Sequence, residues 1–278
     1  MRMKNIPIPT IHLFPVLEEK LMEVLRSLTM AEWNKSTVAK LWTVKDVAAH
    51  LLDGNMRAAS TMRDNYFGDP PGNIFSNEDL VNYLNGLNAD WVRAMKRVSP
   101  QALVALMETT GKEYNRLMAL QDPFAPAVYS VSWAGETSSV NWFHIAREYT
   151  ERWHHQQQIR DAVGKPGIMT KELYYPVLDT FMMALPYAYS NTSAKDNTVV
   201  QVTITGEAGG DWFITKKEKW ELTKTNTLPV TAQTTISGAI AWKLFSKSRR
   251  KTDVMEYISI SGDAALGEPA LDMISVMA

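Results

Sequence analysis

Along residues 13–163, apolar side chains recur every three or four positions, the period of helices buried along one face. Leu13, Val16, Leu17, Leu21, Val24, Leu25 and Leu28 predict a first helix over 13–28, with acids early and Arg26 late. Thr43-Val-Lys-Asp46 reads as a capping box opening a second helix through Met62. Its stripe is Val44, Val47, Ala48, Leu51, Asn55, Ala59 and Met62. Ser76-Asn-Glu-Asp79 opens a third, carrying Leu80, Leu84, Leu87, Trp91 and Met95. A shorter helix is expected from Pro100 to about Gly111, and residues 112–137, with Pro123, Pro126 and Gly135, are expected to be mostly irregular. The last long helix of this half runs from about Ser139 to Val163 and stops at Gly164-Lys-Pro166. Four long helices and a short one, joined by moderate loops, predict a four-helix bundle.

Beyond residue 165 the pattern changes. A helix from Lys171 to about Tyr187 and a polar linker, Ser190 to Asn197, lead into β-branched Val199–Thr205. Short strands are expected at Trp212–Thr215, Lys219–Thr223, Thr231–Ile236 and Tyr257–Ser261, with a helix at Ser237–Lys247 and a closing helix over Ala264–Met277. Gly206-Glu-Ala-Gly-Gly210 reads as a hairpin turn rather than a phosphate cradle. The expected organisation is a bundle over 1–165, a helix and linker over 166–196, and a small α+β domain over 197–278.

Composition narrows the chemistry. A formal net charge of −1 gives no pull toward nucleic acid or an anionic membrane. Glu18, Glu19, Lys20, Glu23 and Arg26 break up the first 30 residues, and no apolar run reaches the ~20 residues needed to span a bilayer, so a soluble, cytoplasmic protein is expected. The chain has no cysteine, which rules out disulfides, thiolate ligands and a cysteine nucleophile. A metal would need nitrogen and oxygen donors, and thiolate chemistry would need a borrowed small-molecule thiol. Lys247-Ser-Arg-Arg-Lys251 reads as a solvated helix end.

The candidate chemistry centres on Glu151-Arg-Trp-His-His155. Four residues apart on a helix, Glu151 and His155 share a face, with Cβ atoms about 5–6 Å apart, and can supply half of a metal site. A third ligand must come from elsewhere, and the other histidines are His12, His50, His144 and His154. His50 lies at the edge of its helix's apolar stripe, with Gly54 leaving space one turn later and Asp46 placed to orient the ring one turn earlier. A lone histidine there also reads as a polar boundary residue. The face bearing Glu151 carries His144, Arg147, Glu148, His155 and Gln158, opposite Trp142, Tyr149 and Trp153. Such a face is ordinarily solvated, and the alternative is that it turns inward to hold an ion. His144 and Glu148 form a competing pair at the same spacing, while the single Glu-x-x-His, Glu151 to His154, lacks the second copy a di-iron bundle needs.

Leu41-Trp-Thr-Val-Lys-Asp-Val-Ala-Ala-His-Leu-Leu-Asp53 and Glu148-Tyr-Thr-Glu-Arg-Trp-His-His-Gln-Gln-Gln-Ile-Arg-Asp-Ala-Val-Gly164 resemble the two signatures of mycothiol-dependent maleylpyruvate isomerase-like proteins. These belong to the DinB-like superfamily of metal-binding four-helix bundles. Ile236-Ser-Gly-Ala-Ile-Ala-Trp-Lys-Leu and Ile260-Ser-Gly-Asp263 resemble the family's sterol-carrier-like C-terminal domain. The resemblance implies His50, Glu151 and His155 as ligands of a divalent metal, zinc first and nickel as the alternative, with His154 turned aside. It also implies a low-molecular-weight thiol of the mycothiol or bacillithiol type, used for S-transfer or cis–trans isomerisation of a small electrophile. The expected partners are thus a small-molecule substrate and a thiol. A metal-dependent hydrolase and a non-catalytic metal-binding or stress-response protein are the alternatives. Neither reading assigns a further catalytic or cofactor-binding residue.

Overall fold

Side chains close the first turns of three helices. Thr43 Oγ1 accepts from Asp46 N at 3.3 Å while Asp46 Oδ2 accepts from Thr43 N at 3.0 Å, so two backbone donors at the helix start are satisfied reciprocally. Ser76 with Asp79, and Thr29 with Glu32, build the same box. These contacts need only four consecutive residues, so their cause is local in the sequence. The structure is a computed structural model describing residues 5–70 and 72–275.

The chain divides into two compact units, one of residues 10–122 and 151–168, the other of the described residues up to Pro9, 123–150 and the described residues from Met169 on. The first holds α1 (Phe14–Arg26), α2 (Met30–Trp33), α3 (Val44–Ala58), α4 (Asn77–Met95), α5 (Pro100–Ala119) and the C-terminal part of α6 (Asn141–Val163). In this helical bundle α3 packs against α4 and α5, and α1 against α5. Leu21, Leu25, Trp33, Val44, Val47, Leu52, Leu103, Met107 and Ile159 form its buried core. Each such side chain contributes about 1.5–3 kcal/mol through burial. A π-helical turn, Ala59–Arg63, continues α3.

Helix α5 runs past Gly111, where the sequence pattern predicts its end, as far as Ala119. A helical glycine costs only about 1 kcal/mol relative to alanine. Buried Tyr114, Leu117 and Met118 keep the last turns docked. The glycine has a packing role, because the Glu18 carboxylate of α1 occupies the space its side chain would fill.

The second unit carries α7 (Lys171–Met182), α8 (Leu185–Ala188), β1 (Val199–Thr205), β2 (Gly210–Lys216), β3 (Trp220–Thr223), β4 (Ala232–Ser237), α9 (Gly238–Phe245), β5 (Ile258–Gly262) and α10 (Ala264–Gly267), with the N-terminal part of α6. The single helix expected over 171–187 is two, because Pro186 has no N–H for the Met182 carbonyl. Likewise α10 gives way to a 3₁₀ turn, Glu268–Asp272, at Pro269, and residues 273–275 are not helical, while the expected end at Met277 lies outside the described residues. The five strands form a mixed sheet in the order β3-β2-β1-β4-β5, with β1 and β4 parallel and the other pairs antiparallel. Val200, Val202 and Ile204 alternate inward along β1, and α9 covers β1 and β4. Gly206, at φ +98°, begins the β1–β2 turn, a conformation glycine adopts without strain. The architecture is a helical bundle followed by a small α+β domain, the fold class the sequence predicts. Among the described residues, no helix is long and apolar enough to cross a membrane.

Candidate metal centre

Helix α6 is where the polar residues lie. In its bundle half Arg152, His154, Gln156, Gln157, Gln158 and Arg160 are all buried, and Glu151 and His155 are half-buried. A solvated face, the ordinary reading of this pattern, is therefore not what the segment forms. On the opposite face Tyr149 and Trp153 are fully buried and Trp142 is half-buried.

Two of the sequence-predicted ligands meet along this helix. His155 Nε2 stands 3.4 Å from Glu151 Oε2. That is longer than an ordinary N–H···O hydrogen bond of about 2.7–3.2 Å. It matches the edge of a zinc tetrahedron: donors about 2.0–2.1 Å from the ion lie about 3.3–3.4 Å apart. Gln158 explains which ring nitrogen faces the carboxylate. His155 Nδ1–H donates to Gln158 Oε1 at 2.9 Å, which leaves a lone pair on Nε2 of the neutral ring. In the neutral form of the ring two lone-pair-bearing atoms face each other, and a cation between them would be held by both.

His50 arrives from α3. Its ring centre is 4.6 Å from that of His155, the two planes at 73°. Imidazoles sharing a tetrahedral ion have centres about 5 Å apart, so the spacing fits. Among the described residues, no three His, Asp or Glu side chains stand close enough to hold an ion as they are. The donor set of two imidazoles and a carboxylate nevertheless suits a borderline divalent ion such as zinc. Space beside His50 is open, since a Cβ added at Gly54 would meet nothing within 4 Å. Asp46, expected to orient His50, uses Oδ2 in the helix cap, accepting from Thr43 N and Oγ1.

The other histidines sit elsewhere. His154 is buried and turned toward Gln158, whose Nε2–H donates to His154 Nε2 at 2.9 Å. Burial holds its pKa well below the usual histidine value, with the neighbouring His155 adding to the effect. The alternative pair, His144 and Glu148, lies in the other unit and is engaged by a guanidinium: Arg147 Nη2 is 2.8 Å from His144 Nδ1 and 2.7 Å from Glu148 Oε1. The cation already between them is part of the protein. His12 is exposed on a 3₁₀ turn.

Three residues stand beside the candidate ligands without being among them. Trp42 lies with its ring centre 4.9 Å from His50 and 6.3 Å from His155. The Trp42 carbonyl accepts from Thr37 N and Oγ1, which fixes the loop ahead of α3. Arg152 extends from α6 into the bundle, where its guanidinium lies 3.7 Å above the Tyr114 ring centre, donates to Asn55 Oδ1 and pairs with Glu18 at 3.7 Å. Burial raises the Glu18 pKa and the Arg152 charge lowers it, burial being the larger effect. The third is Gln158. Its spacing of three from His155 and four from His154 is readable in the sequence, whereas the reach of Arg152 to α1 and α3 is not.

Residues 14–160 match the family described as the mycothiol maleylpyruvate isomerase N-terminal domain. Two crystal structures of the mycothiol-dependent maleylpyruvate isomerase are similar in fold, one of a histidine-to-alanine mutant at TM-score 0.54 and the other at 0.53. Each is 11% identical in sequence, over 91% of this chain and 92% of the matched chain. The solution structure of sterol carrier protein domain 2 of Helicoverpa armigera matches at 21% identity over 38% of this chain and 87% of its own, with a TM-score of 0.27. No curated protein matches in sequence.

Proposed function

The chain belongs to the mycothiol maleylpyruvate isomerase N-terminal domain family, and from that membership we propose that it is a metal-dependent enzyme acting on a small electrophile with a low-molecular-weight thiol. The ligands are His50, Glu151 and His155, and the metal is zinc. The observation that carries this reading is the 3.4 Å approach of His155 Nε2 to Glu151 Oε2, with the nitrogen lone pair turned toward the carboxylate by Gln158. Family membership supports thiol-dependent isomerisation in particular, since the similar structures are of an enzyme described as mycothiol-dependent.

A divalent ion in such a donor set lowers the pKa of a bound thiol, making thiolate available near neutral pH. The rest falls to the chain. It has no cysteine, so its side chains cannot compete with the borrowed thiol for the electrophile through sulfur. The Trp42 indole lies beside both imidazoles, and a Cβ added at Gly54, one turn after His50, would meet nothing within 4 Å. In isomerisation the thiolate adds to an activated carbon–carbon double bond, the resulting single bond rotates, and the carbon–sulfur bond breaks as the double bond reforms. Thiol and atoms are conserved. In S-transfer the carbon–sulfur bond persists and the carbanion takes up a proton.

The test is elemental analysis together with turnover of a cis-configured, thiol-reactive enone or enoate, with and without added small thiol. One zinc per chain is expected in the wild type and none in His50→Ala or His155→Ala, with helical circular dichroism retained. Turnover should require the thiol. Stoichiometric metal in both variants would remove the ligand assignment. Equal turnover without thiol would remove the thiol chemistry and favour metal-dependent hydrolysis.

A further inference from the structure

We propose that Gln158 is a positioning residue that locks His155 into the tautomer able to bind metal, with His154 as its anchor. The proposal deepens the reading above and rests on His155 being a ligand. On α6 the amide sits three residues after one histidine and four after the other, so both rings lie within its reach. It is 4% exposed and makes one contact to each: Oε1 accepts from His155 Nδ1–H, and Nε2–H donates to His154 Nε2, both at 2.9 Å.

A primary amide has one accepting end and one donating end, so the two contacts are coupled. With its donor end on His154 Nε2, the amide can present only oxygen to His155. That oxygen requires a proton on His155 Nδ1, and the lone pair of the neutral ring is then left on Nε2, the atom 3.4 Å from Glu151 Oε2. His154 completes the lock in the tautomer whose Nε2 accepts the amide N–H, its ring 4% exposed. The pair of adjacent histidines therefore has divided roles: one presents an electron pair outward, and the other fixes the amide that orients it. Support of this kind, given to the nitrogen not used for binding, both orients a ligand and raises its basicity.

The experiment uses the full-length protein in three forms: wild type, Gln158→Leu and Gln158→Glu. The first readout is long-range ¹H–¹⁵N correlation of metal-free protein, which reports which His155 nitrogen carries the proton. The wild type and Gln158→Glu are expected to show a protonated Nδ1, since both offer an oxygen acceptor, whereas Gln158→Leu should lose that preference. The second readout is zinc affinity by competition with a chromophoric chelator. Gln158→Leu is expected to bind about 10–100-fold more weakly, and Gln158→Glu to recover most of the loss. A protonated Nε2 on His155 in the metal-free wild type overturns the proposal, as does wild-type zinc affinity in folded Gln158→Leu. Should the wild type bind no zinc at all, the ligand assignment falls, while the tautomer measurement still decides the role of Gln158.

Discussion

Replacing Arg152 by methionine isolates a buried charged cluster inside the bundle. The guanidinium is buried, stacks on Tyr114, donates to Asn55 and faces the Glu18 carboxylate at 3.7 Å. Methionine retains much of the side chain's volume and removes the charge, leaving Glu18 pressed against Gly111 with no cation beside it. Breaking a buried pair on one side costs about 3–5 kcal/mol, because the remaining charge is left in a poorly solvated place. At about 2–4 °C per kcal/mol, the melting temperature should fall on the order of 10 °C at pH 7.5. The loss should shrink in acid. Burial already raises the Glu18 pKa, and removing Arg152 deletes the one effect that lowers it, so the folded variant binds this proton more tightly than the unfolded chain. Its stability is therefore highest below the unfolded carboxylate value and declines as pH rises toward the folded one. Thermal melts followed by far-ultraviolet circular dichroism at pH 5 and 7.5 read both effects. Removing both charges, in Glu18→Leu with Arg152→Met, should recover most of the loss, because an apolar pair desolvates nothing. A shift below 2 °C at pH 7.5, or a double variant as unstable as the single one, would refute this account of the bundle interior.

Gly111→Ala should destabilise by about 1–3 kcal/mol despite alanine's higher helix propensity, because its Cβ would lie 2.6 Å from Glu18 Cδ. Thermal melts of that variant alone and combined with Glu18→Ala check the reason, since the second change should relieve the first. His154→Ala should retain stoichiometric zinc by elemental analysis yet bind it several-fold more weakly in chelator competition, because it removes the anchor of Gln158 and not a ligand. Loss of all metal from a folded His154→Ala would make that residue a ligand instead.

What can be read from the sequence follows how local each cause is. The Thr43–Asp46 and Ser76–Asp79 boxes are four-residue chemistry and give helix starts within a residue or two. The alternation of Val200, Val202 and Ile204 gives β1, and the i,i+4 spacing puts Glu151 on the face of His155. Gly111 misleads as a helix end because its reason lies on another helix, in Glu18. The bundle half of α6 misleads more deeply. Arginines usually face water, and Arg152 and Arg160 are buried with partners over 90 positions away in sequence, Glu18, Asn55 and the Lys20 carbonyl, receiving them. The meeting of His50 with His155 depends on the same tertiary packing of α3, so spacing along the chain offers two residues of the candidate site and a resemblance must offer the third.

The eight residues from Glu151 to Gln158 contain a carboxylate, an imidazole, the amide that orients it and the second imidazole that steadies the amide. Such a cassette is transplantable. A designed host would need to supply a facing histidine, a small residue one turn beyond it and a dry socket for the anchor ring, and the half-site could be grafted intact. A single-residue insertion inside the cassette would rotate its two ends by about 100° and dissolve it.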